Sequence, residues 1–187
     1  MIRPSRLILL GAALLAGVSF RAPAGAEEDA TATAKADFLE MSRVLLAPRC
    51  SNCHPAGDAP LQTDQAVRHA MNVTRTSAKS GLPCATCHPT QNSDFVGGPP
   101  GVPGWNLPPD EAPMVFVGKT PTELCEQLKD GARNGHRTLH DLDEHMGHDP
   151  LVLWAWNPGP GRSLPPMTHE AFAAHVRRWV AAGGPCP

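Results

Sequence analysis

A five-residue pattern, two cysteines separated by two residues and followed at once by a histidine, occurs twice in this chain of 187 residues. The two copies contain Cys50, Cys53 and His54, and Cys84, Cys87 and His88. The C-x-x-C-H pattern is typical of c-type haem attachment, in which both cysteines form thioethers with the haem vinyl groups. The adjacent histidine is then the proximal ligand of the iron. The sequence therefore predicts two covalently bound haems c.

Paired cysteines also occur in zinc sites and in thiol redox enzymes. A four-cysteine zinc site would use both pairs, but the gap between Cys53 and Cys84 is longer than zinc ribbons usually have. A thioredoxin-like pair needs a βαβ context, which the sequence does not show. Neither alternative explains a histidine after each pair, so the pattern favours haem.

Large apolar side chains are scarce in this chain. Aromatic residues make up 5% of it and tyrosine is absent, whereas there are 21 prolines and 17 glycines. Such a composition gives many turns and a small core, so the fold needs additional stabilising groups. Two haems would act as large apolar plates. Because Cys50 and Cys84 are close in sequence, we expect both haems to lie near each other in one small domain.

Residues 1–26 have the pattern of a secretory signal peptide. Arg3 and Arg6 precede an apolar run from Leu7 to Val18, and Ala24-Gly25-Ala26 is typical of a cleavage site. The apolar run is shorter than the roughly 20 residues that a membrane-spanning helix needs. We therefore expect cleavage after residue 26, export to the periplasm and no membrane span in the mature protein.

The predicted cleavage changes the charge balance. Loss of Arg3, Arg6 and Arg21 reduces the 16 basic residues to 13, against 18 acidic ones, so the mature net charge is −5. No basic stripe remains that could follow a phosphate backbone, so we expect no nucleic-acid partner. A mildly acidic surface suits a redox partner protein with a positive docking patch.

The predicted fold class is mainly α. Residues 27–36 are expected to be a flexible linker, and residues 37–187 a single dihaem cytochrome c domain of small cytochrome-c-like helices and long Pro/Gly-rich loops wrapped around two haems. Capping residues predict helix starts at Asp37, Thr120, Thr138 and Thr168. A further short helix is expected over 63–71, and a proline-rich loop with Trp105 in its middle over 97–113.

Two iron positions remain to be filled after the proximal histidines. His69 is the first choice, because it lies between the motifs on the expected short helix; an ordinary surface histidine is the alternative. His145 is the second choice, because it flanks the apolar face of the helix that Thr138 begins. Its rivals are Met114, which follows the proline-rich loop, and His148, just beyond the helix end. Methionine would raise the reduction potential relative to histidine.

A run of residues at four-residue spacing could line one helix face and bind zinc or copper: His136, His140, Glu144 and His148. Gly135 and Gly147, however, predict that the helix covers only the middle of this run. We therefore interpret these side chains mainly as a solvated face.

The two remaining cysteines, Cys125 and Cys186, predict a disulfide in the oxidising compartment to which the chain is expected to be exported. The bond would close a long loop and contribute about 4 kcal/mol in the chain-entropy model. The alternative is two buried free thiols.

Four stretches resemble a known family: PMVF at 113–116, LCEQLKD at 124–130, HDPLV at 148–152 and GGPCP at 183–187. From residue 50 to 187 the chain resembles exported bacterial cytochrome-c-like proteins labelled as an isoquinoline 1-oxidoreductase subunit. The resemblance implies electron exchange with a molybdenum hydroxylase that oxidises N-heterocycles. The chain has no molybdopterin or iron–sulfur motif, so the resemblance does not imply the hydroxylating subunit itself.

These patterns predict a periplasmic electron carrier between an extracytoplasmic dehydrogenase and the respiratory chain. One alternative is a dihaem enzyme, a peroxidase or small-molecule reductase, which needs one open haem iron and an acid–base group beside it. A second alternative is a haem-based sensor or docking subunit, which needs a ligand-dependent switch. The occupancy of the sixth iron position distinguishes the carrier from these alternatives.

Overall fold

The computed structural model describes residues 24–187, so most of the expected signal peptide, 1–26, lies outside the described residues. The helices are α1 (Ala24–Leu45), α2 (Pro48–Ser51), α3 (Pro121–Lys129), α4 (Gly131–Asn134), α5 (Leu139–His148), α6 (Pro150–Leu153) and α7 (His169–Ala181), and the strands are β1 (Leu61–Gln62) and β2 (Val67–Arg68). The fold is therefore mainly α, as predicted. No helix in the described range is both long and apolar enough to cross a membrane.

Three of the predicted helix starts are confirmed, because their capping side chains satisfy backbone donors locally. The Thr120 hydroxyl accepts a hydrogen bond from the Glu123 amide, and the Glu123 carboxylate accepts one from the Thr120 amide. Thr138 and Asp141 form the same reciprocal pair at the start of α5. Thr168 accepts from the Ala171 amide at the start of α7. Each cap pairs amides that the first helical turn leaves without a partner.

The expected linker 27–36 and the helix start at Asp37 need correction, because α1 already covers both. Alanine, glutamate and lysine in this stretch favour a helix. Ala34 is buried, so part of the stretch packs as well. Asp37 is not a cap: its carboxylate accepts hydrogen bonds from Arg178 and His175 of α7. These contacts with α7 are not visible in local sequence.

The short helix expected over 63–71 is also wrong, because β1 and β2 form an antiparallel hairpin there. Thr63 and Ala66, between the strands, have φ values of 64° and 51°, which a right-handed helix does not allow. The turn is attached to α2, since the Asn52 side-chain amide donates to the Thr63 carbonyl and Arg49 pairs with Asp64. His69 therefore follows a hairpin.

A helical body consists of α1 and α3–α7 and encloses the hydrophobic core. The largest fully buried apolar side chains include Phe38 and Met41 of α1, Leu124 of α3 and Trp179 of α7. Phe38 and Trp179 pack with ring centres 5.2 Å apart. The predicted disulfide is confirmed: Cys125, buried in α3, is bonded to Cys186 across 61 residues of chain. This bond links the C-terminal end to the core.

The loop segment, residues 55–111, contains the second cysteine motif and has almost no core of its own. All of it is described, and Pro55 is its only buried aliphatic or aromatic side chain. Met71, Phe95 and Val96 are 81%, 65% and 74% exposed. The scarcity of core residues inferred from composition is thus concentrated in one part of the chain.

Candidate functional site

Two cavities open at the two cysteine motifs. Cavity 1 has a volume of about 420 Å³, and its lining includes the complete first motif, Cys50, Cys53 and His54. Cavity 2 has a volume of about 370 Å³, and its lining includes the complete second motif, Cys84, Cys87 and His88. Volumes of this size are typical of cofactor pockets. Each motif therefore presents both thiols and its imidazole to one space.

The cavities adjoin each other. Five residues line both of them: Arg49, Cys53, Asn106, Leu107 and Trp154. Trp154 is held in place by a hydrogen bond from its indole Nε1 to the Asn92 side-chain oxygen, at 2.8 Å. Groups bound in the two cavities would therefore share a wall formed by these five residues.

His54 of the first motif is held in one orientation. Its Nδ1 donates to the Met114 carbonyl at 2.7 Å, and its ring stacks on Phe116 at 3.9 Å between centres. Because a carbonyl only accepts, Nδ1 carries the proton and the Nε2 lone pair is left for a metal. Burial lowers the pKa of His54 to about 4, so the ring is neutral at physiological pH.

His88 of the second motif has an equivalent arrangement. Its Nδ1 donates to the Pro100 carbonyl at 2.8 Å, and its ring stacks on Trp105 at 4.7 Å between centres. Burial lowers the pKa of this imidazole as well. Both motif histidines are therefore oriented in the same way, by a hydrogen bond to a carbonyl and by stacking on an aromatic ring. Both leave Nε2 for ligation.

His69 lines cavity 2 opposite the second motif. The centres of the His69 and His88 rings are 5.9 Å apart, and His69 Nδ1 donates to the Ala70 carbonyl at 2.7 Å. Two imidazoles on opposite sides of one metal, at about 2 Å per bond, have ring centres about 6 Å apart. The separation in the structure fits such a pair.

His145 lines cavity 1 together with His54. Its Nδ1 donates to the Asp149 carboxylate at 3.0 Å, so its Nε2 is also left for ligation. Burial lowers the pKa of His145, although the neighbouring Asp149 carboxylate acts in the opposite direction. Carboxylate–imidazole pairs of this kind are common behind metal-ligating histidines.

The rival distal ligands are less well placed. Met114 lines cavity 1 as well, but its carbonyl accepts from His54 Nδ1 on the side of the imidazole away from Nε2. Its side chain packs in the core of the helical body. His148 is exposed and does not line either cavity. The geometry therefore favours His145 in cavity 1.

The other metal interpretations receive no geometric support. Across residues 24–187, no group of three or more His, Cys, Asp or Glu side chains comes together as a metal site, either at the motif cysteines or at the run from His136 to His148. The four motif cysteines are free thiols. Burial raises the pKa of Cys50 to about 12 and that of Cys53 to about 11, so both side chains are neutral thiols at physiological pH.

Sequence reasoning missed three parts of the site. Phe116, which stacks on His54, and Asn92, which holds Trp154, have no local signature. Arg49 lines both cavities, and its position directly before Cys50 was the available signal. Phe116 and Asn92 come from parts of the chain distant in sequence from the side chains that they contact.

No protein-family model, no curated protein and no solved structure matches the chain. The resemblance to exported cytochrome-c-like proteins therefore stays a prediction from the residues quoted above. Any functional assignment has to come from the two cavities and from the side chains that line them.

Proposed function

We propose that the protein is an exported dihaem c-type cytochrome that carries electrons between an extracytoplasmic dehydrogenase and the respiratory chain. The donor set of each cavity fits one haem c. Cys50 and Cys53 would bind the first porphyrin and Cys84 and Cys87 the second, all through thioethers. Haem iron supplies one-electron chemistry when bound.

One observation carries the choice of an electron carrier: each cavity contains two imidazoles whose Nδ1 atoms already donate to the protein. His54 and His145 face cavity 1, and His88 and His69 face cavity 2. Four Nε2 atoms are thus available for four axial positions. Two fully ligated irons favour electron transfer over catalysis, because a substrate has no vacant position to bind.

The wall shared by the two cavities supports electron exchange inside the protein. Cys53 would be bound to the first porphyrin and also lines cavity 2, while Trp154 lines both spaces. Groups held on either side of this wall would lie close to each other. An electron entering at one site could therefore leave from the other.

The partner is proposed from charge and from the resemblance. A mature net charge of −5 favours a docking partner with a basic patch. A molybdenum hydroxylase for N-heterocycles is the partner that the resemblance implies. Salt dependence of electron transfer with such an enzyme would test the electrostatic part of this proposal.

Optical spectra of the purified exported protein, recorded oxidised and reduced with and without carbon monoxide, test the proposal. We expect two covalent haems per chain, both low-spin and both unreactive towards carbon monoxide. Ready carbon monoxide binding by the parent protein would indicate an open iron and favour the enzyme or sensor alternatives. Absence of covalent haem would refute the proposal outright.

Three matched variants assign the distal ligands. His69→Ala should convert only the haem of cavity 2 to a form that binds carbon monoxide, and His145→Ala only the haem of cavity 1. His148→Ala is the control, because this exposed residue is on the same helix as His145 but outside both cavities. An unchanged spectrum in His69→Ala would remove His69 as a ligand.

A further inference from the structure

Arg49 is a buried cation between the two cavities. Its side chain is 3% exposed, and its Nη2 lies 2.6 Å from the Asp64 carboxylate, which is 33% exposed. Arg49 lines both cavities, and its guanidinium carbon is 5.9 Å from the centre of the Trp154 ring in the shared wall. Guanidinium groups stay charged in proteins, so a fixed positive charge lies beside both spaces.

The guanidinium has a hydrogen-bond donor to spare. Its Nε is buried and has no acceptor among the described protein atoms. Buried donors without an acceptor are rare in native proteins and need an explanation. Because Arg49 borders both cavities, a group bound in one of them is well placed to supply the missing acceptor. A carboxylate is the chemical class that guanidinium binds best, and haem carries two propionates.

We infer that Arg49 sets the reduction potentials of both haems through its shared positive charge and donates its unpaired Nε–H to a haem carboxylate. This inference rests on the proposed dihaem function. Ferric haem carries one more positive charge than ferrous haem, so a nearby cation disfavours oxidation and raises the potential. Low solvent exposure leaves this effect poorly screened. Asp64 has the opposite sign and partly offsets it.

The Asp64 carboxylate is itself held in place. It accepts from the Ser163 backbone amide as well as from Arg49, so it should stay near its position when Arg49 is changed. Removing either charge therefore tests the same electrostatic effect with opposite sign. A loss of packing around the haems would instead change both variants in one direction, through greater exposure to water.

Spectroelectrochemical titration of the holoprotein tests the inference, after haem content and circular dichroism have been matched to the parent. We expect Arg49→Gln to lower the midpoint potentials of both haems and Asp64→Asn to raise both. Arg43→Gln removes the same formal charge from α1, but its side chain is 58% exposed and lines neither cavity. This control should leave both potentials nearly unchanged.

The outcomes separate the inference from the proposed function. A shift of one haem alone in Arg49→Gln would overturn the shared role, and shifts of the same sign in Arg49→Gln and Asp64→Asn would overturn the electrostatic role. If Arg49→Gln fails to fold, Asp64→Asn alone decides: both potentials must rise. A parent protein without covalent haem, detected before any titration, would overturn the proposed function and this inference together.

Discussion

The two cysteine motifs have similar ligand arrangements but very different surroundings. Cavity 1 is walled by core side chains of the helical body, among them Leu142, Met146 and Phe172. Cavity 2 is walled by the loop segment, where Met71 and Leu82 remain exposed. The first motif therefore lies at a cavity in an existing core, whereas the second belongs to a segment that lacks one.

The difference between the two cavities affects how much the stability of each region depends on a bound group. Ordering the backbone costs about 1–2 kcal/mol per residue, and apolar burial is the main favourable contribution that offsets it. The loop segment buries almost no apolar side chain of its own. Its links to the rest of the chain include three polar ones, Arg49 with Asp64, Asn92 with the Asn157 carbonyl, and Arg162 with the Gly98 carbonyl. One aromatic contact adds to them, the Trp105 ring edge-to-face with Trp154 at 4.8 Å between centres. We therefore expect the loop segment to depend on the group in cavity 2.

The largest expected effect comes from removing the attachment cysteines. In Cys84→Ala/Cys87→Ala, the proposed haem of cavity 2 would no longer be covalently bound. The loop segment would then lack the apolar group around which it packs, so it should lose its order and become the first site of proteolysis. The helical body should keep its thermal transition, since its core does not involve cavity 2. Limited proteolysis with mass spectrometry and thermal circular dichroism would measure the two effects separately.

Cys50→Ala/Cys53→Ala is the matched variant. If the proposed haem is absent from this variant, a cavity of about 420 Å³ would stay unfilled beside the core, so the transition of the helical body should move to lower temperature. Two outcomes would contradict the claim that only the loop segment depends on the group in cavity 2. One is an equal effect of the two double variants on the helical body, and the other is a loop segment that stays protected from proteolysis without its cysteines.

The disulfide provides the next largest effect, and we expect it to be confined to the helical body. Cys125→Ala/Cys186→Ala should lower the free energy of unfolding of this body by about 4 kcal/mol in the chain-entropy model. Denaturant titration of helicity measures the loss, and the parent under reducing conditions is the control. The haem spectra should not change below the transition, because neither cysteine lines a cavity. Faster proteolysis of the loop segment in this variant would show that the order of the segment depends on the disulfide of the helical body.

Local signals were sufficient where a helix begins with its own cap. Thr120, Thr138 and Thr168 were predictable, because each cap bonds within three residues of itself. The hairpin at 61–68 was not, because a deciding partner, Arg49, belongs to another part of the fold. The contact of Asp37 with Arg178 of α7 is of the same kind. Contacts of this kind override local propensity.

The candidate site, like the fold, was predictable only where the signal is local in sequence. The motif spacing pointed to six residues that the structure brings to two cavities, and His69 lines the cavity of the second motif although its expected helix is a hairpin. The separation of 5.9 Å between His69 and His88, by contrast, depends on how the loop segment folds back on itself. Sequence spacing contains no information about such a distance.

The interaction of Asp37 with α7 should make the stability of the helical body depend on pH. Burial raises the pKa of Asp37, but hydrogen bonds from Arg178 and His175 outweigh this effect and leave the pKa below its ordinary value. Asp37 therefore stabilises the fold above the unfolded-state pKa of about 4, and this contribution is lost as the pH falls through the lower folded-state pKa.

Asp37→Asn should therefore cost about 2 kcal/mol near neutral pH, the usual value for hydrogen bonds to a charged group, and progressively less in acid. Urea titrations at several pH values would measure this difference. Glu40→Gln, on the same helix, is the control, because its pair with Arg43 is exposed and should contribute less than about 1 kcal/mol. A cost of Asp37→Asn that stays constant from neutral pH into acid would exclude the charge interaction.

The aromatic rings that stack on the motif histidines provide the smallest and most specific comparison. Phe116 is buried in the core next to His54, whereas Trp105 is only half-buried next to His88. Stacked aromatic pairs contribute about 1 kcal/mol beyond their buried area. Phe116→Leu should lower the stability of the helical body by about 1 kcal/mol, because a conservative apolar change in a core costs little.

Trp105→Leu should act mainly on the loop segment, because outside that segment it removes only the edge-to-face contact with Trp154. Hydrogen exchange of residues 84–107 should become faster, because His88 then keeps only the Pro100 carbonyl to fix its ring. If Trp105→Leu instead lowered the thermal transition of the helical body as much as Phe116→Leu does, the two regions would unfold as one unit. The second site would then owe its order to the helical core as well as to its haem.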